Sequence, residues 1–469
     1  MTLDPSDWTS LRHLGHRMID DLFDAMEQVR ERPVWQKMPE ALRADLRAPM
    51  PRTPGSADDA YAEFTRLVQP YPTGNTHPRF MGWVHGGGNA VGMLAELLAA
   101  GLNANLGGRD HAPIEVERQV IRWSAELLGL PPETSGLLVT GTSVANLIGL
   151  LVARTAAIGV EARRTGLRDA KLVAYASEKA HGCIARAMDM AGLGTDALRL
   201  VPCDSEHRMR RDALAAAITQ DRAAGNRPFL LVGTAGTVDI GAFDDLAALA
   251  GIARAEKLWF HVDSAFGAMA ALSPALRPLL AGIERADSLA FDFHKWMQVP
   301  YDAGCVLVRD PAAHLAAFAQ QVAYLRREPR GLAGGHPWPC DLGPDLSRGF
   351  RALKVWMTWR AYGSDRLGDV VAQTCDVAQS LAAHVDREPA LERMAPVPLN
   401  IVCFRVRGSD DLNREIVADV QEAGIAAPST TIIGGRLAIR AAIVNHRTRV
   451  EDVDMLVDAV LEAARRRQA

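Results

Sequence analysis

Residues Ser288–Trp296 read S-L-A-F-D-F-H-K-W, and the rest of the chain is organised around them. Ser288 to Asp292 has the pattern of a short apolar strand, with His294, Lys295 and Trp296 at its end. A charged end is rarely withdrawn from water without a partner. A lysine in that place invites a catalytic reading, because desolvation lowers an amine's pKa and frees the neutral form to attack an aldehyde. A lysine that simply reaches into solvent is the plain alternative. Lys295 alone favours the plain one.

Three further stretches reverse that balance. Leu258–Asp263 (L-W-F-H-V-D) is an apolar run ending in a carboxylate, followed by the small residues Ser264 and Ala265. Gly136–Asn146 (G-L-L-V-T-G-T-S-V-A-N) reads as a strand, a turn rich in glycine and hydroxyls, and a helix start. Lys179-Ala180-His181 follows a fourth strand, Lys171–Tyr175. A phosphate cradle, a histidine, an aspartate and a lysine thus fall in order, each at the C-terminal end of an expected strand. Ligands of open α/β sheets bind at that edge. Pyridoxal phosphate needs such a set: an amine for its aldehyde, an anion for its ring nitrogen, a stacking group and a phosphate site.

Strands are expected at 136–140, 171–175, 198–201, 229–233, 258–263, 288–292 and 304–308, with helices at 144–156, 209–224 and 244–256 between them. Apolar strands alternating with amphipathic helices predict a largely parallel sheet covered on both faces. A helix from about 348 to 362 leads onward to helices at 366–387, 411–424 and 449–467 and strands at 400–406 and 436–441. That mixture predicts a small C-terminal α+β domain. At the other end, residues 6–30 carry apolar positions at helical spacing, and Pro33–Gly55 reads as a connecting arm.

The chain resembles the group II pyridoxal-phosphate-dependent amino acid decarboxylases, the aromatic-amino-acid, histidine and glutamate decarboxylase group. The resemblance is carried by His77–Phe80, Thr140–Asn146, Ala180-His181, Gly236–Asp244, His261–Ala265, Asp292–Trp296 and Arg348–Trp356, over residues from about 75 to 360. It implies the aspartate-aminotransferase-like fold type I, with a seven-stranded, mostly parallel sheet. Three segments follow: an N-terminal helical arm (1–75) packing on a partner subunit, a large cofactor-binding domain (76–360) and a small C-terminal domain (361–469). The implied enzyme is a homodimer with its active site at the subunit interface.

Residue by residue, the resemblance makes Lys295 the Schiff-base lysine of pyridoxal 5'-phosphate and Asp263 the partner of its ring nitrogen. His181 stacks on the ring and is a candidate donor of the proton to the substrate carbon, and Ala265 packs flat against the ring. Thr142, Ser143, Asp292 and His294 serve the phosphate end, Thr237 reaches a cofactor oxygen, and Phe80 and Trp83 wall the substrate pocket. The expected reaction releases carbon dioxide from an L-amino acid, an aromatic one on the evidence of Phe80 and Trp83, and yields an amine.

One departure bears on the product. The family carries a mobile loop between Ala323 and Arg348 whose tyrosine delivers the final proton, but here the lone Tyr324 comes too early and Trp338 and His336 stand near the expected place. His336 is the candidate replacement donor, and Gly334-Gly335 a candidate hinge. Without a donor, dioxygen could intercept the carbanion and yield an aldehyde. A different fold type I lyase or an aminotransferase is the remaining rival, with Arg440 as the carboxylate grip a transaminase needs.

Composition restricts the rest. At 469 residues the chain exceeds one ordinary core. A formal charge of −4 offers no electrostatic footprint for nucleic acid or a membrane surface. No apolar run reaches the roughly 18 residues of a spanning helix, and the N-terminus lacks the regions of a signal peptide, so a cytoplasmic enzyme is expected. The six cysteines form no C-x-x-C pair, so no metal site is expected. Cys183, two residues after His181, is read as a small buried hydrophobe.

Overall fold

The computed structural model describes residues 2–319, 328–335 and 337–468. Among these are twelve strands, numbered in chain order: β1 (Phe80–Met81), β2 (Ser135–Val139), β3 (Leu172–Ser177), β4 (Leu198–Val201), β5 (Arg227–Thr234), β6 (Trp259–Asp263), β7 (Ser288–Asp292), β8 (Gly304–Val308), β9 (Leu391–Arg393), β10 (Ile401–Val406), β11 (Ala427–Ile433) and β12 (Arg436–Ala442). They fall in two compact units, one made of Gly88–Asp376 with Pro396–Ile401, the other of Met1–Gly87, Val377–Ala395 and Val402–Ala469.

The larger unit holds a seven-stranded sheet in the order β2-β8-β7-β6-β5-β3-β4. β8 runs antiparallel to both its neighbours, and the other pairings are parallel. The C-terminal ends of β2, β3, β5, β6 and β7 therefore share one edge. β7 and β8 are buried at every position, as an apolar run covered on both faces must be. Helix Thr142–Ile158 lies against β7 and β8 through Ala145, Ile148 and Val152, which meet Ala290, Val306 and Val308 in one cluster. Each of the isoleucine and valine side chains among them contributes roughly 1.5–3 kcal/mol by leaving water.

Local signals set the helix limits. Pro113 occupies the first turn of Ala112–Leu127, where its missing N–H costs nothing. Asp245 caps Leu246–Glu256 by accepting the Ala248 N–H at 3.1 Å. The helices expected at 348–362 and 366–387 are one element, Arg351–Arg387, interrupted at Gly363 (φ 71°). A left-handed φ is open to glycine at little cost.

In the smaller unit the sheet order is β1-β11-β12-β10-β9. β11 and β12 form a hairpin in which Ile433 faces Arg436 across Gly434-Gly435, both at positive φ. That is the two-residue turn whose twist matches antiparallel strands. Helices Asp410–Glu422 and Val450–Gln468 pack together in this unit. Among the described residues no helix is long and apolar enough to cross a membrane.

Three histidines are buried as neutral rings. His314 is held between the Ser135 hydroxyl (2.8 Å) and the Leu342 carbonyl (2.7 Å). Burial pushes it down to about 4, His77 to about 4 and His261 to about 3. An unfolded histidine binds a proton near 6.5. Between there and the folded values, the unfolded state holds protons that the native state refuses, so stability rises with pH in that window. The slope is about 1.4 kcal/mol per pH unit for each histidine. Urea midpoints at pH 7, 6 and 5 should fall steeply, and His314→Gln should flatten the slope by about one proton. A midpoint independent of pH would contradict this.

Candidate active site

Six of the expected residues, Lys295, Asp292, Thr142, His294, Asp263 and Ala265, converge where β2, β6 and β7 end. Lys295 Nζ lies 3.1 Å from Asp292 Oδ2, with the lysine side chain 24 % exposed and the aspartate 3 %. Asp292 Oδ1 accepts the Thr142 N–H at 2.7 Å. It thus satisfies a first-turn donor of helix Thr142–Ile158, where the helix dipole favours an anion. Gly304 makes this approach possible: a Cβ there would sit 2.5 Å from Gly141 Cα and 2.8 Å from Asp292 Oδ1.

His294 accepts the Ala303 N–H at Nδ1 (3.1 Å), which puts the ring proton of its neutral form on Nε2, 3.6 Å from Asp292 Oδ2. Burial lowers its pKa, Asp292 raises it and Lys295 lowers it again. The ring lies 4.3 Å, centroid to centroid, from Tyr301, a neighbour that sequence reasoning did not single out.

Asp263, at the end of β6, is buried. Its Oδ1 accepts the Ala265 N–H (3.2 Å) and its Oδ2 the Asn146 Nδ2–H (3.1 Å). Burial pushes its pKa up, while Lys295 and then His181 pull it back. Such a carboxylate stabilises a nearby cation strongly. Ala265 is itself fixed, since its carbonyl receives the Asp292 N–H at 2.9 Å. Cys183, expected as a plain hydrophobe, places Sγ 3.2 Å from Asn146 Nδ2 and 3.8 Å from Asp263 Oδ2. Burial and then Asp263 push the thiol up to about 12, so it stays protonated.

The other expected residues stand nearby on the same edge or apart. His181 is exposed on the loop after β3 and accepts the Cys183 N–H at Nδ1 (3.2 Å). Thr237, buried after β5, closes its own turn by accepting the Ala242 N–H (3.0 Å). Ser143 is exposed beside the buried Thr142. Phe80 and Trp83 belong to the smaller unit. There Phe80 is buried with Val34 and Ala427, and Trp83 (52 % exposed) stacks with His85 at 5.8 Å. His336 and Tyr324 lie outside the described residues.

The expected hinge is tied down. The Gly334 carbonyl accepts Trp338 Nε1–H (2.6 Å), and Arg118 Nη2 donates to the carbonyls of Gly335 (2.9 Å) and Pro337 (2.8 Å). Trp338 is 1 % exposed, pressed on Gly108 and beneath the Arg109 guanidinium at 4.7 Å. In this arrangement the carbonyls of both glycines accept hydrogen bonds from side chains outside the pair.

The donor set fits pyridoxal phosphate. Among the described residues the buried Thr142 hydroxyl has no hydrogen-bond partner, a cost that a phosphate oxygen would remove. Asp263 offers a buried anion for a ring nitrogen, and Lys295 an amine for the aldehyde. Asn146 and His261 complete the surroundings of Asp263, and of the two His261 has a legible signal: in a strand of period two, His261 and Asp263 share a face.

Comparison with known proteins agrees with this chemistry. A sequence profile described as "Pyridoxal-dependent decarboxylase conserved domain" matches residues 39–407. The aromatic-L-amino-acid decarboxylase of Bacillus atrophaeus is 31% identical over 456 residues, covering 94% of this chain and 93% of that protein. The phenylacetaldehyde synthase of Arabidopsis thaliana is 29% identical over 462 residues, with 94% and 93% covered. The crystal structure of Oryza sativa TDC with PLP and tryptamine superposes with a TM-score of 0.92 at 26% identity, covering all of both chains.

Proposed function

We propose that this chain, which belongs to the pyridoxal-dependent decarboxylase family, removes the carboxylate of an aromatic L-amino acid and releases the amine. It is a pyridoxal-phosphate-dependent carboxy-lyase of fold type I acting on an amino acid. When bound, the cofactor supplies an electron sink for the pair left on Cα. The chain's own residues do the rest. Lys295 would hold the cofactor through its aldehyde, its amine lying 3.1 Å from Asp292 Oδ2. Asp263 keeps the ring nitrogen protonated, and Thr142, Ser143 and His294 hold the phosphate, with Asp292 orienting Thr142 and Lys295. His181 and Ala265 would pack on the cofactor ring and Thr237 would serve one of its oxygens. The observation that carries this reading is the convergence of an amine, a buried carboxylate and an unpartnered buried hydroxyl at one sheet edge.

An aromatic substrate is supported by the relatives named above. The segmentation 1–75, 76–360 and 361–469, a homodimer with the arm on the partner, and a cytoplasmic setting belong to the same proposal. Trp8 and Leu11 on helix Trp8–Glu27 and Leu97, Leu98 and Leu102 on helix Ala90–Leu102 are exposed apolar groups that a second copy would cover.

A second reading is favoured by Trp338, whose indole N–H is committed to Gly334 and which stands where a phenol was expected. With no proton reaching Cα, substrate, dioxygen and water would give aldehyde, carbon dioxide, ammonia and hydrogen peroxide. His336 is the donor that would prevent this. Purified holoenzyme supplied with tryptophan, tyrosine, phenylalanine, histidine or glutamate should release carbon dioxide and amine in equal amounts from the aromatic substrates. Stoichiometric peroxide would establish the second reading. Carbon dioxide from glutamate or histidine only would overturn the aromatic one.

A further inference from the structure

Asp263 stands at the end of a buried chain of polar side chains to which the reaction as described assigns no work. Asn146 Nδ2 donates to Asp263 Oδ2 (3.1 Å), and Asn146 Oδ1 lies 2.7 Å from His261 Nε2. His261 Nδ1 lies 2.7 Å from Ser288 Oγ, which accepts the Trp259 indole N–H at 2.8 Å. Asn146, His261 and Ser288 are each 1 % exposed.

The roles of the atoms settle the direction of every hydrogen. An indole N–H can only donate, and a carboxylate can only accept. Asn146 must turn its amide nitrogen to Asp263, so its carbonyl faces His261, whose neutral ring then carries its proton on Nε2. That leaves Nδ1 as an acceptor for the single Ser288 hydrogen. Burial keeps His261 neutral. All four donors therefore point one way, from Trp259 to Asp263, and bonds aligned in this manner polarise one another. The positive end of the chain rests on the carboxylate that burial pushes towards the neutral acid. The backbone makes room for it: a Cβ on Gly149 would lie 2.7 Å from His261 Cε1, 2.8 Å from its Nδ1 and 3.2 Å from Ser288 Oγ.

We propose that Asn146, His261 and Ser288 are positioning residues for the decarboxylation, forming a one-way hydrogen-bond chain that holds Asp263 ionised and fixed towards the cofactor's ring nitrogen. The inference rests on the reading of Asp263 as the ring's partner. A merely structural network would need no common direction and would affect stability alone.

Holoenzymes carrying Asn146→Ala, Ser288→Ala, Ser288→Thr and Asp263→Asn test it. Turnover, KM, cofactor dissociation constant, thermal midpoint and the pH titration of the bound cofactor's visible absorbance are measured on each. Loss of a hydrogen bond to a charged group predicts roughly a 10- to 100-fold fall in kcat for Asn146→Ala. KM should stay within about threefold of wild type. Ser288→Ala, two bonds further back, should lose about 2- to 10-fold, and Ser288→Thr, which keeps the hydroxyl, should recover most of it. The pH midpoint of the absorbance should move in Asn146→Ala and Ser288→Ala. If Asp263→Asn is inactive while Asn146→Ala and Ser288→Ala behave as wild type, the chain is overturned and the reading of Asp263 stands. The chain is also overturned if the variants lose thermal stability with the absorbance midpoint unmoved. An active Asp263→Asn with an unchanged absorbance titration would remove the reading of Asp263 and the chain with it.

Discussion

A Lys295→Ala protein should fold like the wild type, take up pyridoxal phosphate without a covalent link, and decarboxylate more slowly by about four orders of magnitude or more. Lys295 is the amine at the end of β7, 3.1 Å from Asp292, and among the residues at the site's centre it alone carries an amine. Folding should tolerate the change. The lysine is partly exposed, and Asp292 keeps the Thr142 N–H at 2.7 Å. Borohydride reduction of the wild type followed by peptide mass spectrometry should find the cofactor on Lys295, and the variant should show no labelled peptide. Turnover within tenfold of wild type, or label on another lysine, would remove Lys295 from its role.

The second large effect concerns stability. Arg348→Ala should destabilise the larger unit by about 3–5 kcal/mol, the usual cost of stripping one partner from a buried ion pair. Arg348 and Glu117 are both nearly inaccessible. Arg348 Nη2 lies 2.6 Å from Glu117 Oε1 and Nη1 lies 3.2 Å from Oε2. The same guanidinium donates to the carbonyls of Leu106 (2.9 Å) and Leu138 (2.6 Å), while Glu117 Oε1 accepts the Leu138 N–H at 3.0 Å. The pair therefore ties helix Ala112–Leu127 to β2. Replacing Arg348 and Glu117 together by Met and Leu should recover part of the loss, since no lone charge remains. Recovery stays incomplete because the two carbonyls and one N–H lose their partners. Urea denaturation of the single and double variants measures both. A cost below about 1 kcal/mol for Arg348→Ala would show that the pair is solvated in solution.

Arg348 also shows how far a sequence pattern reaches. The R-G-F-R-A-L-K-V-W stretch carries a family resemblance, yet its polar side chains do structural work: Arg348 clamps Glu117, Lys354 pairs with Glu96, and Trp356 Nε1 donates to Gln119 Oε1 at 2.8 Å. The seven strands of the larger sheet are legible to within two or three residues, most plainly β7 and β8, because strands buried on both faces read as largely apolar runs. β11 is not, since A-P-S-T-T-I-I has a proline, three hydroxyls and a half-exposed pattern. The Gly434-Gly435 turn after it is the cue that counts. The site's ends of strands are legible for the same reason as the strands. What surrounds Asp263 is legible only in part: His261 shares its strand face, but Asn146 and Ser288 come from other elements that only pairing and packing bring to it.

The pairing of β6 with β7 sets His261 opposite Ser288 and Asp263 opposite Ala290. Side chains of parallel register partners project from the same face, so a slip of one residue would turn the Ser288 hydroxyl away from the imidazole. Sequence drift is therefore constrained at this ladder by more than hydrophobic burial. An insertion or deletion in β6 or β7 that the core could absorb would still strand the carboxylate. The β3–β5 ladder, which already carries a register shift between Val173 and Ala174, is where descendants of this sequence have room to change length.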